Sequence, residues 1–557
     1  MINQASRITL ALAVAVGLAA CGGGSSGDKN DTSASTPTPN PIPTPTPTPV
    51  PTPPVVVVPP PYTLTPSILT ASHVAGYPAT VDLTAKQTVA FVGIAYVKVA
   101  TDADVISPDV HVVQQANGSL GVQVKTSSTA KPGLYSGDLT VNVCADPNCN
   151  TQLAGSPFKL PYSIDVLPPD GALDTYTKSA LVPLAGAPDW GTFQANAQHT
   201  GYVPVTLDPS TFTPRWRITA PAVNGTQIVL STVATGGGRV YVTNGTYFNP
   251  TNASLTAYSE ADGAKVWSQT FQNLTYPSTN PPAYANGRVF AVAGAQSATA
   301  MFGFDAASGS QLFKTPMSSQ WESYLAPTVF NGNVYTNGGS YGGLYSFSAA
   351  AGTQNYFTEL NQHDGWTPAF DSQNMYTYMA GQLRVHNPLT GAVSATIEDP
   401  LYTFNGYTAN VAPVVGGGGI VYAGNLNNPT TNSILAFDTI NKSVRWSASG
   451  GFAGNPAYAD GYLFAANNAT GKMEVRRESD GVIDWSWASP ESDSTFSSDV
   501  LVTKNLVFVS ASTMTYAIDR TTHATVWRYQ GAGKLALSAN GVLYIKAPSR
   551  IFAINLH

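Results

Sequence analysis

The chain has 557 residues, 26 Lys and Arg against 32 Asp and Glu, a net charge of −6, 50 Gly, 42 Pro and only 3 Cys. That length suggests about two to four domains, and the turn-rich, aromatic-rich, charge-poor profile is that of an exported all-β protein. It excludes a nucleic-acid binder, which needs a basic footprint, an acidic disordered chain, and both a disulfide-dense scaffold and a Cys-rich metal site.

Residues 1–20 place Arg7 ahead of an apolar run from Ile8 to Leu18. The run is too short for a membrane-spanning helix and fits a signal-peptide core. It ends Leu18-Ala19-Ala20-Cys21, which resembles the lipobox of bacterial lipoproteins. That resemblance implies cleavage before Cys21, diacylglycerol on its thiol, and a lipid-anchored protein at the bacterial outer membrane, facing either periplasm or medium. Ordinary secretion with a coincidental Cys is the alternative. Residues 21–61 then read as a tether, Gly/Ser-rich at first and flexible. From Pro37 to Pro61, 13 of 25 residues are Pro, mostly alternating with Thr. Such a stretch favours polyproline II and buries no core. At about 3.1 Å per residue it reaches roughly 80 Å. A Pro-rich ligand for a partner domain is the other reading.

Residues 62–168 alternate apolar and polar in short runs, as in Leu139, Val141 and Val143 against Thr140 and Asn142. Short strands over a domain of this size predict an immunoglobulin-like (Ig-like) β-sandwich. Pro132-Gly133-Leu134-Tyr135-Ser136-Gly137 and Gly155-Ser156-Pro157 resemble an Ig-like domain of exported proteobacterial proteins. Cys144 and Cys149 flank the turn residues Asp146-Pro147-Asn148, and in an oxidising envelope they are expected to pair. A metal site would need further Cys or nearby His ligands. Residues 169–188 read as a linker.

From Asp189 to His557 the chain repeats itself. One element is a short apolar strand after a turn. It occurs at Val240-Tyr241, Val289-Phe290, Val334-Tyr335, Met375-Tyr376, Val421-Tyr422, Leu463-Phe464, Val507-Phe508 and Leu543-Tyr544, a spacing of about 43 residues. The second element is a small residue, then an Asp-like, a Gly-like and an aromatic position. Gly303, Asp305, Gly309 and Phe313 show it in full; Ala257, Gly263 and Trp267 share its spacing. The aromatic slots hold Trp267, Phe313, Tyr356, Trp446, Trp485 and Trp527, but Ala395 in the fourth repeat. A repeat of this length with four strands predicts a β-propeller blade, its aromatic packing between neighbouring sheets. The last copy stops at His557 without an outer strand, whereas Pro214-Arg215-Trp216-Arg217 precedes the first blade. The prediction is an eight-bladed ring closed by the N-terminal strand that carries Trp216, which leaves no unpaired sheet edge.

The small-x-Asp-x-x-x-Gly-x-x-x-Trp register resembles the repeat of pyrroloquinoline quinone (PQQ) propellers. Asp189-Trp190-Gly191-Thr192-Phe193 and Asn196-Ala197-Gln198-His199-Thr200-Gly201-Tyr202 resemble the lead-in of PQQ-like repeat proteins. That family contains quinoprotein dehydrogenases. It also contains non-catalytic scaffolds, among them the lipoprotein of the outer-membrane β-barrel assembly machinery. Alcohol-oxidising members typically carry adjacent disulfide-bonded cysteines beside the quinone, but all three Cys here lie outside the propeller. No cofactor is therefore expected, no catalytic residue is assigned, and PQQ-dependent oxidation is the least favoured reading. Gly338-Gly339-Ser340-Tyr341-Gly342 matches the hydrolase pattern G-x-S-x-G but lies between strands, where a glycine-rich hairpin fits better. The seven His show no metal-ligand spacing, and His363-Asp364-Gly365-Trp366 reads as a turn. The resemblance implies a protein-interaction or assembly scaffold in the envelope. Carbohydrate binding or surface adhesion is the alternative.

Overall fold

The computed structural model describes residues 59–557 apart from 77, 91–94, 101–103, 115–118, 168–172, 177–179, 221, 224–225, 245–252, 273–277, 295, 320–324, 361–364, 404–411, 426–431, 491–492 and 497–498. The expected signal peptide, Cys21, nearly all of the tether, and His363-Asp364 lie outside the described residues. Among the described residues there is no α-helix, only a 3-10 turn at Pro209–Thr211. No helix there is long and apolar enough to cross a membrane.

The N-terminal part is a pair of four-stranded sheets. One orders its strands Tyr62–Thr65, Thr80–Gln87, Leu120–Thr126, Ile106–Gln114. The other orders them Leu69–Val74, Phe158–Leu167, Gly133–Cys144, Tyr96–Ala100. Period-2 alternation places Leu139, Val141 and Val143 in the core between the sheets, with Leu69, Leu83, Val124, Leu160 and Ile164, while Thr140 and Asn142 are half-buried.

The remainder is a β-propeller of antiparallel sheets. Among the described residues, seven successive four-stranded sheets run from 234 to 530. An eighth is built from Lys534–Leu537, Val542–Ala547 and Arg550–Asn555, joined by Thr213–Thr219 and then Leu173–Thr175. Most first strands of neighbouring sheets touch one another, so they form the inner ring. The recurrent second strand is fully buried: Val240, Tyr241, Val289, Phe290, Tyr422 and Tyr544 all have 0% exposure. Such strands are apolar on both faces because each sheet is covered by a neighbour on either side.

Thr213–Thr219 pairs antiparallel with Arg550–Asn555, setting Trp216 opposite Ala553. The eighth sheet therefore draws its outer strands from before the first. Leu173–Thr175, inside the stretch read as linker, covers the outer edge of that strand and removes an unpaired edge. Val58–His557 form one compact unit. Where the sandwich meets the propeller, Arg217 of the closing strand is buried and ion-paired with Asp165, itself buried. The Arg217 guanidinium also donates to the Val166 carbonyl and stands 5.5 Å over the Tyr176 ring. Gln530 donates to the Ala71 carbonyl across the same junction.

Candidate functional site

The repeat motif is first a docking device. In four of the sheets a small residue lies directly across the strand pair from the aromatic: Ala257 opposite Trp267, Gly303 opposite Phe313, Ala436 opposite Trp446, Ala517 opposite Trp527. A small side chain leaves the ring room to lie toward the next sheet. There the ring meets the turn of that sheet's repeat. Trp267 packs on Gly309, where a Cβ would come within 2.6 Å of the indole, and Trp446 does the same on Gly481. Both glycines have positive φ, 74° and 70°, a region that L side chains avoid. Phe313 and Tyr356 meet the turns of their following sheets in the same way.

The polar edge of the ring is satisfied by the residue after the Asp-like position. Trp267 Nε1 donates to Ala306 O at 3.1 Å, Trp446 Nε1 to Glu478 O at 2.8 Å, and Tyr356 OH to Pro388 O at 2.9 Å. Trp216 Nε1 donates to Glu260 O at 2.9 Å. Trp216 thus treats the first sheet as the other aromatics treat their successors, so the eighth sheet docks on the first. The departures are coherent. Ala395 leaves the next turn uncovered, and that turn has Lys442 in place of Gly at φ 54°. Trp485 meets His523 at φ 59° and stacks on its imidazole, centroids 4.1 Å apart. Trp527 packs against Phe212 at 5.5 Å.

The segment 190–203 is the feature that repeat reasoning missed. It bonds to all seven four-stranded sheets, in their order. Thr235 N donates to Trp190 O, Tyr284 N to Gly191 O, Phe370 N to Ala197 O, Val415 N to Gln198 O, Tyr458 N to Thr200 O, and Val502 N to Gly201 O, all between 2.7 and 2.9 Å. The third sheet is met by Thr192, whose Oγ1 donates to Pro327 O at 2.6 Å. The partners are inner-strand groups, so the segment runs across the propeller axis as a hub. A Cβ at Gly191 would lie 2.6 Å from Tyr284 O, which is why this position has no side chain. Gln194, Ala195 and His199 all have positive φ, 45°, 78° and 58°, a strained backbone held by its surroundings.

Side chains of the hub fill the axis. Phe193 packs with Ala326 and Ala412 and meets the His199 ring edge-on at 5.4 Å. His199 is fully buried between Pro413 O at 3.1 Å and Thr328 Oγ1 at 3.0 Å. Burial pushes its pKa down to about 3, against the Pro413 carbonyl that pulls it up. Beside the hub a small cleft lies between Trp190, Phe193, Gln194, Thr232, Asp499 and Lys534. Lys534 Nζ lies 3.1 Å from Asp499 Oδ2. Lys546, across the strand pair from Lys534, has its pKa lowered to about 8, by burial and then by the Lys534 charge.

These residues do not fit a quinone centre. The axis is taken by the chain's own Phe193, Gln194 and His199, and Cys144 and Cys149, bonded to each other with Cα atoms 5.0 Å apart, belong to the sandwich. Among the described residues no group of three His, Cys, Asp or Glu is placed to hold a metal ion. Gly338 to Gly342 form the turn between Asn333–Asn337 and Gly343–Ser348, with no helix behind Ser340. Tyr341 at its tip is 68% exposed, whereas Trp366 is buried.

No curated protein matches the sequence. Among solved structures, BamB from Moraxella catarrhalis is 12% identical, with 62% of this chain and 100% of that one covered and a TM-score of 0.49. Quinohemoprotein alcohol dehydrogenase from Comamonas testosteroni is 13% identical over 67% of this chain and 81% of that one, TM-score 0.47. The sequence profile described as outer membrane protein assembly factor BamB matches residues 199–301 and 251–487, from within the hub through the sixth sheet. That span is more than half of the 557 residues, and with the repeat it identifies the chain as a member of this family of PQQ-like β-propellers.

Proposed function

We propose that this protein is a non-catalytic, lipid-anchored scaffold of the bacterial outer membrane. It binds envelope protein partners through the loops of a closed, eight-bladed propeller. The observation that carries the reading is the hub: the axis, where a propeller enzyme would place a cofactor, is occupied by residues 190–203 bonded to successive sheets. What remains for partners is loop surface on a rigid frame. Membership of a family described by an outer-membrane assembly factor supports the same reading. In it, Cys21 is acylated, the Pro/Thr stretch holds the folded part off the lipid, and the Ig-like sandwich is fixed to the closing strand.

The test is in-cell crosslinking of the tagged full-length protein followed by mass spectrometry. Reproducible links from propeller loops to outer-membrane assembly components are expected. Links to no envelope protein, or stoichiometric PQQ binding with dye reduction, would overturn the reading. Intact-mass analysis is expected to find acylated Cys21 and, before reduction, no alkylatable thiol at Cys144 or Cys149.

A further inference from the structure

We propose that the cleft at the mouth of the propeller axis is a seat for a cationic side chain of a partner polypeptide, an arginine guanidinium above all, which Lys534 occupies in the free protein. The inference rests on the scaffold reading and names the chemistry of one contact it makes.

The seat is made from equivalent points of the repeat. Thr232, Ala326, Asp499 and Lys534 each lie two residues before the inner-strand residue that pairs with the buried aromatic of the second strand, and all four line the cleft. Asn455 and Ala412 hold the same position in their sheets. Repeat symmetry therefore gathers one side chain per sheet around the axis, and this chain makes one sector polar and the other apolar. In the polar sector Asp499 accepts from Asn455 N at 2.7 Å and from Lys534 Nζ.

Gln194 supplies the second observation. It is 3% exposed and lines the cleft. Its Nε2 donates to Asn455 O at 3.2 Å and Pro456 O at 3.1 Å. Both partners can only accept, so the amide orientation is settled. Its Oε1 is buried and has no hydrogen-bond partner among the described residues. A buried acceptor without a donor is costly, and the cleft thus offers the Asp499 carboxylate and the Gln194 carbonyl as acceptors, with the Lys534 ammonium on a flexible stem against Asp499.

An anion would face Asp499 and the Gln194 carbonyl, both acceptors. A cation meets both favourably. The Lys534 ammonium is a point charge that reaches Asp499 but does not bond Gln194 Oε1. A guanidinium carries five N–H donors in a planar fork. Two of these donors match a carboxylate side-on and others remain for a second acceptor such as Oε1, and the aromatic residues Trp190 and Phe193 are in the lining. Lys534, 34% exposed, can leave on its flexible stem. The exchange keeps one cation opposite Asp499.

The test uses full-length protein and three blocked tripeptides, Gly-Arg-Gly, Gly-Gln-Gly and Gly-Glu-Gly, titrated by saturation-transfer NMR. The arginine peptide is expected to bind at least tenfold better than the glutamine peptide. Asp499→Asn should weaken it at least tenfold. Lys534→Met, which removes the resident cation and leaves the acceptors, should strengthen it several-fold. Equal binding of the three peptides, weaker arginine binding in Lys534→Met, or glutamate binding abolished by Lys534→Met would each overturn the proposal. Should Asp499→Asn fail to fold, the Lys534→Met arm decides alone. Crosslinks to an envelope partner that persist in Asp499→Asn, with no arginine preference in the peptide series, would sink the seat and leave the scaffold standing; absence of crosslinks in the wild type would count against the scaffold.

Discussion

At Gly309 two requirements meet: a left-handed backbone and an indole lying where a Cβ would be. Gly309→Ala therefore combines the αL cost of an L residue with overpacking against Trp267, and is expected to lose about 2–4 kcal/mol in denaturant unfolding. In a Trp267→Ala background the same substitution should cost only about 1–2 kcal/mol. Equal costs in both backgrounds would mean that the ring and the turn are not coupled. A second residue sets an acid limit. The folded pKa of His199 is about 3, whereas an unfolded imidazole titrates near 6.5. Between those values the unfolded chain binds a proton that the folded chain refuses. Stability thus rises with pH through this window and is level above it. His386, lowered to about 4 by burial first of all, acts in the same direction. His199→Gln should flatten the loss of stability between pH 7 and pH 4 without abolishing it, read as unfolding midpoints across that range.

The closing strand is the element on which the ring depends. Trp216 is 1% exposed, pairs opposite Ala553 in the last sheet and donates to the first. Trp216→Ala is expected to cost about 3–5 kcal/mol and to make the Thr213–Thr219 region cleavable in limited proteolysis. Trp485→Ala, whose ring is half-buried against an exposed turn, should cost clearly less; equal costs would argue that Trp216 has no special part in closure. The repeat, the all-β class and the pairing of Trp216 with the C-terminal strands were legible in the sequence. The small and aromatic positions face each other across one strand pair, so their spacing is local and survives from copy to copy. Lys442 and His523 stand where the repeat has Gly. They make sense only when the residue above each is known, Ala395 having no ring to lay down and Trp485 accepting a stacked imidazole. The hub could not be read this way. Trp190 to Gly201 have no period of their own, and their partners recur once per sheet along the whole propeller. The cleft was hidden for the same reason, since Gln194, Asp499 and Lys534 are brought together only by the ring.

Across the whole molecule the sandwich and the propeller share a buried ion pair, Asp165 with Arg217. Removing one partner strands a charge away from water. Asp165→Ala is expected to destabilise by about 3–5 kcal/mol, and Asp165→Leu combined with Arg217→Met to recover most of that. Coincident unfolding curves from tryptophan fluorescence and far-ultraviolet circular dichroism should accompany the wild type. Two separated transitions would show that the sandwich and propeller unfold independently, and that the pair does not join them.

The closure described above also governs how the chain is made. Arg215 bonds Asn555 across 340 residues of sequence, and the hub's Gln194 reaches Asn455 across 261. At ~5–20 residues/s, Asn555 emerges roughly 20–70 s after Arg215. Through that interval the Trp216 strand exists with no strand to complete and the hub with few sheets to join. Contacts of such long range slow folding, and an unfinished strand edge invites pairing with another chain. The device that leaves the mature ring without a seam makes the growing chain depend on being kept apart from its neighbours until its last residues arrive.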